Sequence, residues 1–120
     1  MEKVTILDKT LEADFTNPDF MASYEDALAE LGASARNLNL QGRASEGARN
    51  LCNSVIQTFD SLFGPGTARQ VLGKETNLLV CLDAVADLAG VYDDQITPII
   101  EEKAKKAKEK LAMRKKNEKV

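Results

Sequence analysis

ASEGARNLCNSVIQTFDSLFG, residues 44–64, is the stretch that decides the fold class. At about 100° per residue, its apolar side chains Ala44, Ala48, Leu51, Cys52, Val55, Ile56, Phe59, Leu62 and Phe63 fall within an arc of roughly 140°. Arg49, Asn53, Gln57 and Asp60 take the opposite side. Strand side chains alternate every second residue, so a repeat of three and four specifies an amphipathic helix with one buried face. Gly64 at the C′ position, followed by Pro65, ends it, because glycine accepts the turn that closes a helix and proline cannot continue one.

The next stretch, GPGTARQVLGKETN (residues 64–77), has the glycines, the Gly-Lys pair and the threonine of a phosphate-binding loop. A Walker A loop wraps phosphate in backbone amides between two glycines that enclose four residues, then supplies Lys and a Ser/Thr hydroxyl for magnesium. Here Gly66 and Gly73 enclose six residues, and Glu75 stands where the hydroxyl belongs and repels phosphate. A helix also precedes the loop instead of a strand. The stretch therefore reads as a helix stop, a short helical turn over Thr67 to Leu72, and a second stop at Gly73. Thr76 then caps a helix through NLLVCLDAVADLAGVYDDQI, residues 77–96. Leu78, Leu82, Val85, Ala89, Tyr92 and Ile96 form its apolar row, widened by Cys81 and Leu88, which marks it as the central helix. At Thr97-Pro98 the helix is expected to kink or to restart behind a threonine cap.

On the N-terminal side, TNPDF (residues 16–20) opens another helix. Asn17 accepts backbone N–H bonds as the N-cap, Pro18 stands where a missing N–H costs nothing, and Asp19 faces the positive end of the helix dipole. Phe20, Tyr24, Ala27, Leu28, Leu31 and Ala35 follow at helical spacing, and the signal fades between Gly32 and Leu40. Further upstream, Val4 and Ile6, then Leu11, Ala13 and Phe15, alternate with polar residues on either side of LDKT, residues 7–10. That pattern reads as two short strands around a tight turn, with an extended docking arm as the alternative.

With 120 residues, 43% of them hydrophobic, the chain supports a single core. Only 5% are aromatic and Trp is absent, so Leu, Val, Ile, Ala and a few Phe must fill that core, which favours helices over a β-sandwich. The expected architecture is mainly α: a compact bundle of about four helices, a small N-terminal β-hairpin and a long basic C-terminal helix or tail. Residues 1–100 are expected to make one helical domain, and 101–120 a Lys-rich extension.

His is absent and there are two cysteines, which removes most metal and general-base chemistry. Cys52 and Cys81 sit within apolar runs and read as buried thiols of a reducing compartment. Asp83, Asp87 and Asp94 share one helical face, but no third ligand type or pKa-tuning partner accompanies them, so they read as a solvated acidic stripe. No stretch reaches the roughly 18 apolar residues of a membrane span, and MEKVTILDK lacks the apolar core of a signal peptide. The expectation is a soluble, unexported protein with no catalytic residues, no cofactor, no metal and no membrane association.

Charge is unevenly placed. Residues 101–120 hold nine Lys or Arg against four Glu, a net +5, so with −3 over the whole chain the first hundred residues carry −8. Ile100, Ala104, Ala107 and Leu111 form a thin apolar seam along this basic end, too short to hold a coiled coil alone. Three readings stay open: a solvated or frayed helix, a protein-interaction arm, and a nucleic-acid arm. The last is the weakest, because no aromatic residue is present to stack bases and glutamates interrupt the charge. Opposite charges also suggest that the basic end of one subunit rests on the acidic body of another, including the face of Asp83, Asp87 and Asp94.

Four stretches carry a family resemblance: VTILDKTLEADF, YEDALAEL, TFDSLFGPGTARQVLG and TNLLVCLDAVADL, about half the chain and in order. Together they resemble the small tail assembly chaperones of tailed phages and prophages of Gram-positive bacteria. The resemblance implies a non-enzymatic protein of the host bacterial cytoplasm that coats the tape measure protein while tail tube subunits polymerise around it. It implies self-association into a homo-oligomer as well, with the tape measure protein as partner and the tail tube subunit as a further one. The Lys-rich end matches no feature of that family. The resemblance carries no catalytic residues. Partner-binding positions are inferred from chemistry: Leu62 and Phe63 in the last turn of the helix, Val71 and Leu72 in the loop, and Ile99, Ile100 and Leu111 along the seam. The alternatives are a nucleic-acid-associated helical accessory protein and a structural adaptor of the virion.

Overall fold

Strands β1 (Glu2–Ile6) and β2 (Lys9–Ala13) pair antiparallel, with Glu2 opposite Ala13, Val4 opposite Leu11 and Ile6 opposite Lys9. In the computed structural model, which describes residues 1–39 and 41–118 and side chains as far as Arg114, the hairpin is followed by helices α1 (Pro18–Arg36), α2 (Ala44–Phe63), α3 (Thr67–Leu72) and α4 (Leu78–Val91). A π-helical turn (Tyr92–Ile96) then leads into α5 (Thr97–Glu118). Lys115, Lys116 and Lys119 of the basic end, and Leu40, lie outside the described side chains.

The hairpin confirms the alternation and places Val4, Ile6, Leu11 and Ala13 in the core. Its turn is narrower than LDKT: Leu7 and Asp8 alone make it, with φ of 47° and 66°, and Lys9 is already strand. Two left-handed residues give the mirror-image turn whose twist suits a hairpin. For a leucine that conformation costs about 1–2 kcal/mol. The half-buried Leu7 side chain packs on the core in return, and its N–H donates to Asp87 Oδ2 at 3.0 Å.

Helix α1 starts as its sequence predicts, with Asn17 Oδ1 accepting from the Asp19 N–H at 2.8 Å. It buries Tyr24 and Leu31, runs through Gly32 and closes at Arg36. Helix α2 buries Leu51, Cys52, Val55 and Phe59 on the expected face, together with Thr58. Asp60 does not simply face solvent: its Oδ1 accepts from the Ala68 N–H at 2.9 Å. That contact caps α3 from outside, because the N-cap position is Gly66, left-handed at φ 89° and without a side chain to accept the free amides.

Two details of α4 differ from the sequence reading. Its cap is Asn77 rather than Thr76, with Oδ1 accepting from Leu79 N–H at 2.9 Å and Val80 N–H at 3.2 Å. Its fully buried row is Cys81, Ala84, Leu88 and Val91, leading on to Ile96, whereas Leu78, Leu82, Val85 and Tyr92 are half-buried and Ala89 is exposed. The face is rotated because α2, α3 and β1 all pack against this helix.

Thr97 does not cap a new helix. It is helical itself (φ −53°, ψ −42°), and its N–H bonds to Tyr92 O five residues back. The wider π turn falls immediately before Pro98, where the proline removes a donor and crowds the preceding turn. One continuous helix therefore runs from Leu78 to Glu118. One turn upstream, within α4, the Tyr24 hydroxyl donates to Leu88 O and, at 3.2 Å, to Ala89 O.

All six aromatic residues of the chain, four Phe and two Tyr, join one network. Phe15, fully buried, stands at its centre, with ring centroids 5.1 Å from Phe20, 6.0 Å from Phe63 and 6.0 Å from Tyr92. The architecture is thus a mainly helical bundle with a small N-terminal hairpin and a long C-terminal helix. That helix projects: the molecule measures 75 × 25 × 20 Å, and its radius of gyration of 19.0 Å exceeds the about 13.6 Å of a compact chain this long. Among the described residues, no helix is long and apolar enough to cross a membrane.

Candidate interaction surface

Three polar side chains of the long helix hold the hairpin. The register leaves the N–H and C=O of Thr5 pointing away from β2. Gln95 takes both: its Oε1 accepts from Thr5 N–H at 2.8 Å and its Nε2 donates to Thr5 O at 3.0 Å. The Tyr92 hydroxyl donates to Phe15 O at 2.6 Å, and Asp87 accepts from Leu7. All three aspartates of the acidic stripe are exposed, and Asp87 in addition anchors the hairpin turn.

Two grooves flank α1. The larger, of about 650 Å³, lies between α1 and α2 and is lined by small residues such as Ala27, Ser34, Ser54 and Ser61, with Leu31 and Leu62 also lining it. Asp26 and Glu30 are its charged residues, and no Lys or Arg lines it. The smaller, of about 320 Å³, lies between α1 and α4 and is mainly apolar: Met21, Tyr24, Leu28, Ala89 and Tyr92, with Glu25 and Asp93 beside them. Burial pushes the Tyr24 hydroxyl up to about 12, with Tyr92 and Asp93 adding to the effect. Burial likewise raises Tyr92, helped by Glu2 and Glu25. Both phenols stay protonated near neutrality and act as hydrogen-bond donors to backbone carbonyls. Cys52 and Cys81 are free and buried, and burial, with the Cys52 thiol beside it, raises Cys81 far above the reactive range.

The third surface is α5. Every residue from Glu101 to Arg114 is exposed. On the helical wheel Ile100, Ala104, Ala107 and Leu111 occupy an arc of roughly 60°. Lys103 and Lys110 border this seam on one side, Lys108 and Glu101 on the other, while Glu102 and Glu109 lie on the far face. The seam begins inside the body, where Ile100 is half-buried against the core, and continues into solvent, where Leu111 is 64% exposed.

The seven positions expected to meet a partner divide accordingly. Val71 and Leu72 are buried core residues of α3 and offer no surface in this fold. Phe63 is half-buried within the aromatic network, and Leu62 is half-buried at the α1–α2 groove. Ile100 packs on the core. Ile99, 43% exposed, and Leu111 are open, although Ile99 lies off the seam by about 100° from its neighbour Ile100. Sequence reasoning missed both grooves, because each is made by residues of two helices whose relative placement no spacing rule supplies.

Among the described residues, no group of three or more His, Cys, Asp or Glu is placed to hold a metal ion. Neither a curated protein nor a solved structure matches the chain. A family profile does, from Leu7 to Lys119, so that the projecting helix lies within the matched span along with the body. By that match over residues 7–119, the chain belongs to DUF6673, a family of unknown function.

Proposed function

We propose that the chain is a non-enzymatic tail assembly chaperone of the kind made by tailed phages of Gram-positive bacteria. In this reading it works in the host cytoplasm and holds the tape measure protein soluble while tail tube subunits, a further partner, assemble around it. The observation that carries the reading is the seam of α5, exposed from Ala104 to Leu111 on a helix that no other described residue covers. A long amphipathic client helix needs its apolar stripe covered reversibly, and a helix bearing a thin apolar seam between lysines does this without covalent chemistry. A narrow seam suits that task, because a broad one would bind too tightly to release the client as the tube closes.

The exposed lysines also bear on a nucleic-acid reading, but Glu102 sits 3.7 Å from Lys106 and the basic residues border the seam on both sides. Co-expression tests the chaperone proposal. With the full chain present, the soluble fraction of a tape measure protein encoded beside it rises several-fold. An unchanged soluble fraction overturns the proposal.

A further inference from the structure

Two unpartnered surfaces of this chain complement one another in length, shape and charge. The exposed part of α5, from Glu101 to Arg114, spans about 21 Å, and the α1 side of the larger groove, from Ser23 to Ser34, runs about 18 Å. We propose that the α5 seam of one copy docks into the α1–α2 groove of a second copy of this chain.

Shape favours the fit. Ala104 and Ala107 leave little between the α5 backbone and its partner, and Ala27, Ser34, Ser54 and Ser61 do the same on the groove side, so the helices approach closely. Leu111 is the one large side chain among the exposed seam positions, and Leu62 lines the groove as its apolar counterpart.

Charge decides between occupants. The groove offers Asp26 and Glu30 with no base among its lining residues, and the seam is bordered by Lys103, Lys108 and Lys110 against the one acid Glu101. Pairing α5 with α5 in parallel is disfavoured, because Lys103 of one copy then faces Lys108 of the other. The exposed stripe of Asp83, Asp87 and Asp94 is a poorer seat, since Asp87 is already bonded to the hairpin turn. Nor does α5 reach the groove of its own chain, because it continues from α4 through the π turn and projects from the body, exposed at every residue from Glu101 to Arg114.

Helix and groove lie on different surfaces of each copy, so two copies that exchange helices reciprocally close into an isologous dimer, and copies that pass the helix on in one direction form a heterologous chain. The contact needs no client and does not depend on the tape measure reading, although it occupies the same seam, so that a client and a second copy compete for it.

Sedimentation of the full-length protein over a range of concentrations tests it. Self-association is expected at about 50 mM salt and is expected to weaken at least about fivefold at about 500 mM, where surface charges are screened. The paired substitution Asp26→Lys with Glu30→Lys, both at exposed positions, weakens it about tenfold or more at low salt, with the thermal midpoint of the dilute monomer unchanged. Adding Lys103→Glu and Lys110→Glu to that variant restores association to within about threefold. A monomer under every condition, an assembly indifferent to the groove substitutions, or a charge-swapped variant that stays dissociated would each overturn the proposal. A tape measure protein that gains no solubility leaves it untouched.

Discussion

The two halves of the helix from Leu78 to Glu118 are made of the same backbone and live in opposite surroundings. The first half sends Cys81, Ala84, Leu88, Val91 and Ile96 into the core and ties Asp87, Tyr92 and Gln95 to the hairpin. The second half, from Glu101 onward, is exposed at every described side chain and carries a single surface ion pair there, Lys106 with Glu102. Tertiary packing holds the first half. The second is helical because its start is already formed: nucleation is the costly step of helix formation, and α5 only propagates a helix nucleated in the core. Ala, Lys and Glu, which fill it, are good propagators. A free helix here is an outgrowth of the bundle, which explains how it stays ordered while its seam remains open.

The contrast is sharpest at Phe15. Its ring is fully buried at the meeting point of hairpin, α1, α2 and the π turn. Phe15→Ala is expected to cost about 3–5 kcal/mol, the range for removing a buried aromatic ring from a core. Urea denaturation followed by circular dichroism measures it. The unfolding midpoint falls sharply, and α5, which depends on α4 for its start, melts in the same transition. A loss below about 1 kcal/mol would mean that the hairpin contributes little and that the helices stand without it.

What the sequence revealed depended on how far each signal reaches along the chain. Helical periodicity in α2, the Asn17-Pro18-Asp19 start and the Gly64-Pro65 stop are local, and the structure keeps all of them. Cap identity is also local, yet Thr76 and Asn77 are adjacent good caps, and only the backbone (Asn77 at φ −132°, ψ 126°) selects the second. The buried face of α4 was misplaced because that helix is apolar nearly all round, so periodicity carries little direction and the packing of α2, α3 and β1 sets the face. The π turn left only the Thr97-Pro98 pair as a sign, which is equally a sign for a kink. Gln95 on Thr5 and Asp60 on Ala68 were unreadable: each joins a side chain to a backbone group through the fold rather than through spacing. Of the candidate site, the seam was legible by its period on one helix, and the grooves, built from two helices each, were not.

Tyr24 tests the middle of the range. Tyr24→Phe keeps the ring against Tyr92, 4.7 Å away between centroids, and removes only the hydroxyl that donates to Leu88 O and Ala89 O. Losing a buried hydrogen bond of this kind costs about 0.5–1.5 kcal/mol. The same hydroxyl predicts an alkaline dependence. Its folded pKa is raised from 10.0 to about 12, so the unfolded chain loses this proton first. The stabilisation is therefore complete below pH 10 and is lost as pH rises toward 12. Absorbance titration at the tyrosinate band should show this phenol ionising late in the native protein. In Tyr24→Phe the alkaline fall in stability becomes shallower, and an unchanged fall would assign it to other groups.

Leu111→Ala marks the other end of the comparison and should change stability least. The side chain is 64% exposed, touches no core residue, and is replaced by the best helix former. In dilute monomer the expected change is within about 0.5 kcal/mol, read as an unmoved midpoint in the same urea titration. A fall of more than about 1 kcal/mol would place Leu111 against the body and remove the distinction between the two halves. An unmoved midpoint alone leaves the seam without consequence, so the same variant belongs at the concentrations where copies meet. There, loss of the one large seam residue beyond Ile100 weakens association at high salt as well as low. An apolar contact responds in that way and a purely electrostatic one does not. Equal folding stability with salt-independent loss of association would therefore assign Leu111 to contacts between molecules, as Phe15 belongs to contacts within one.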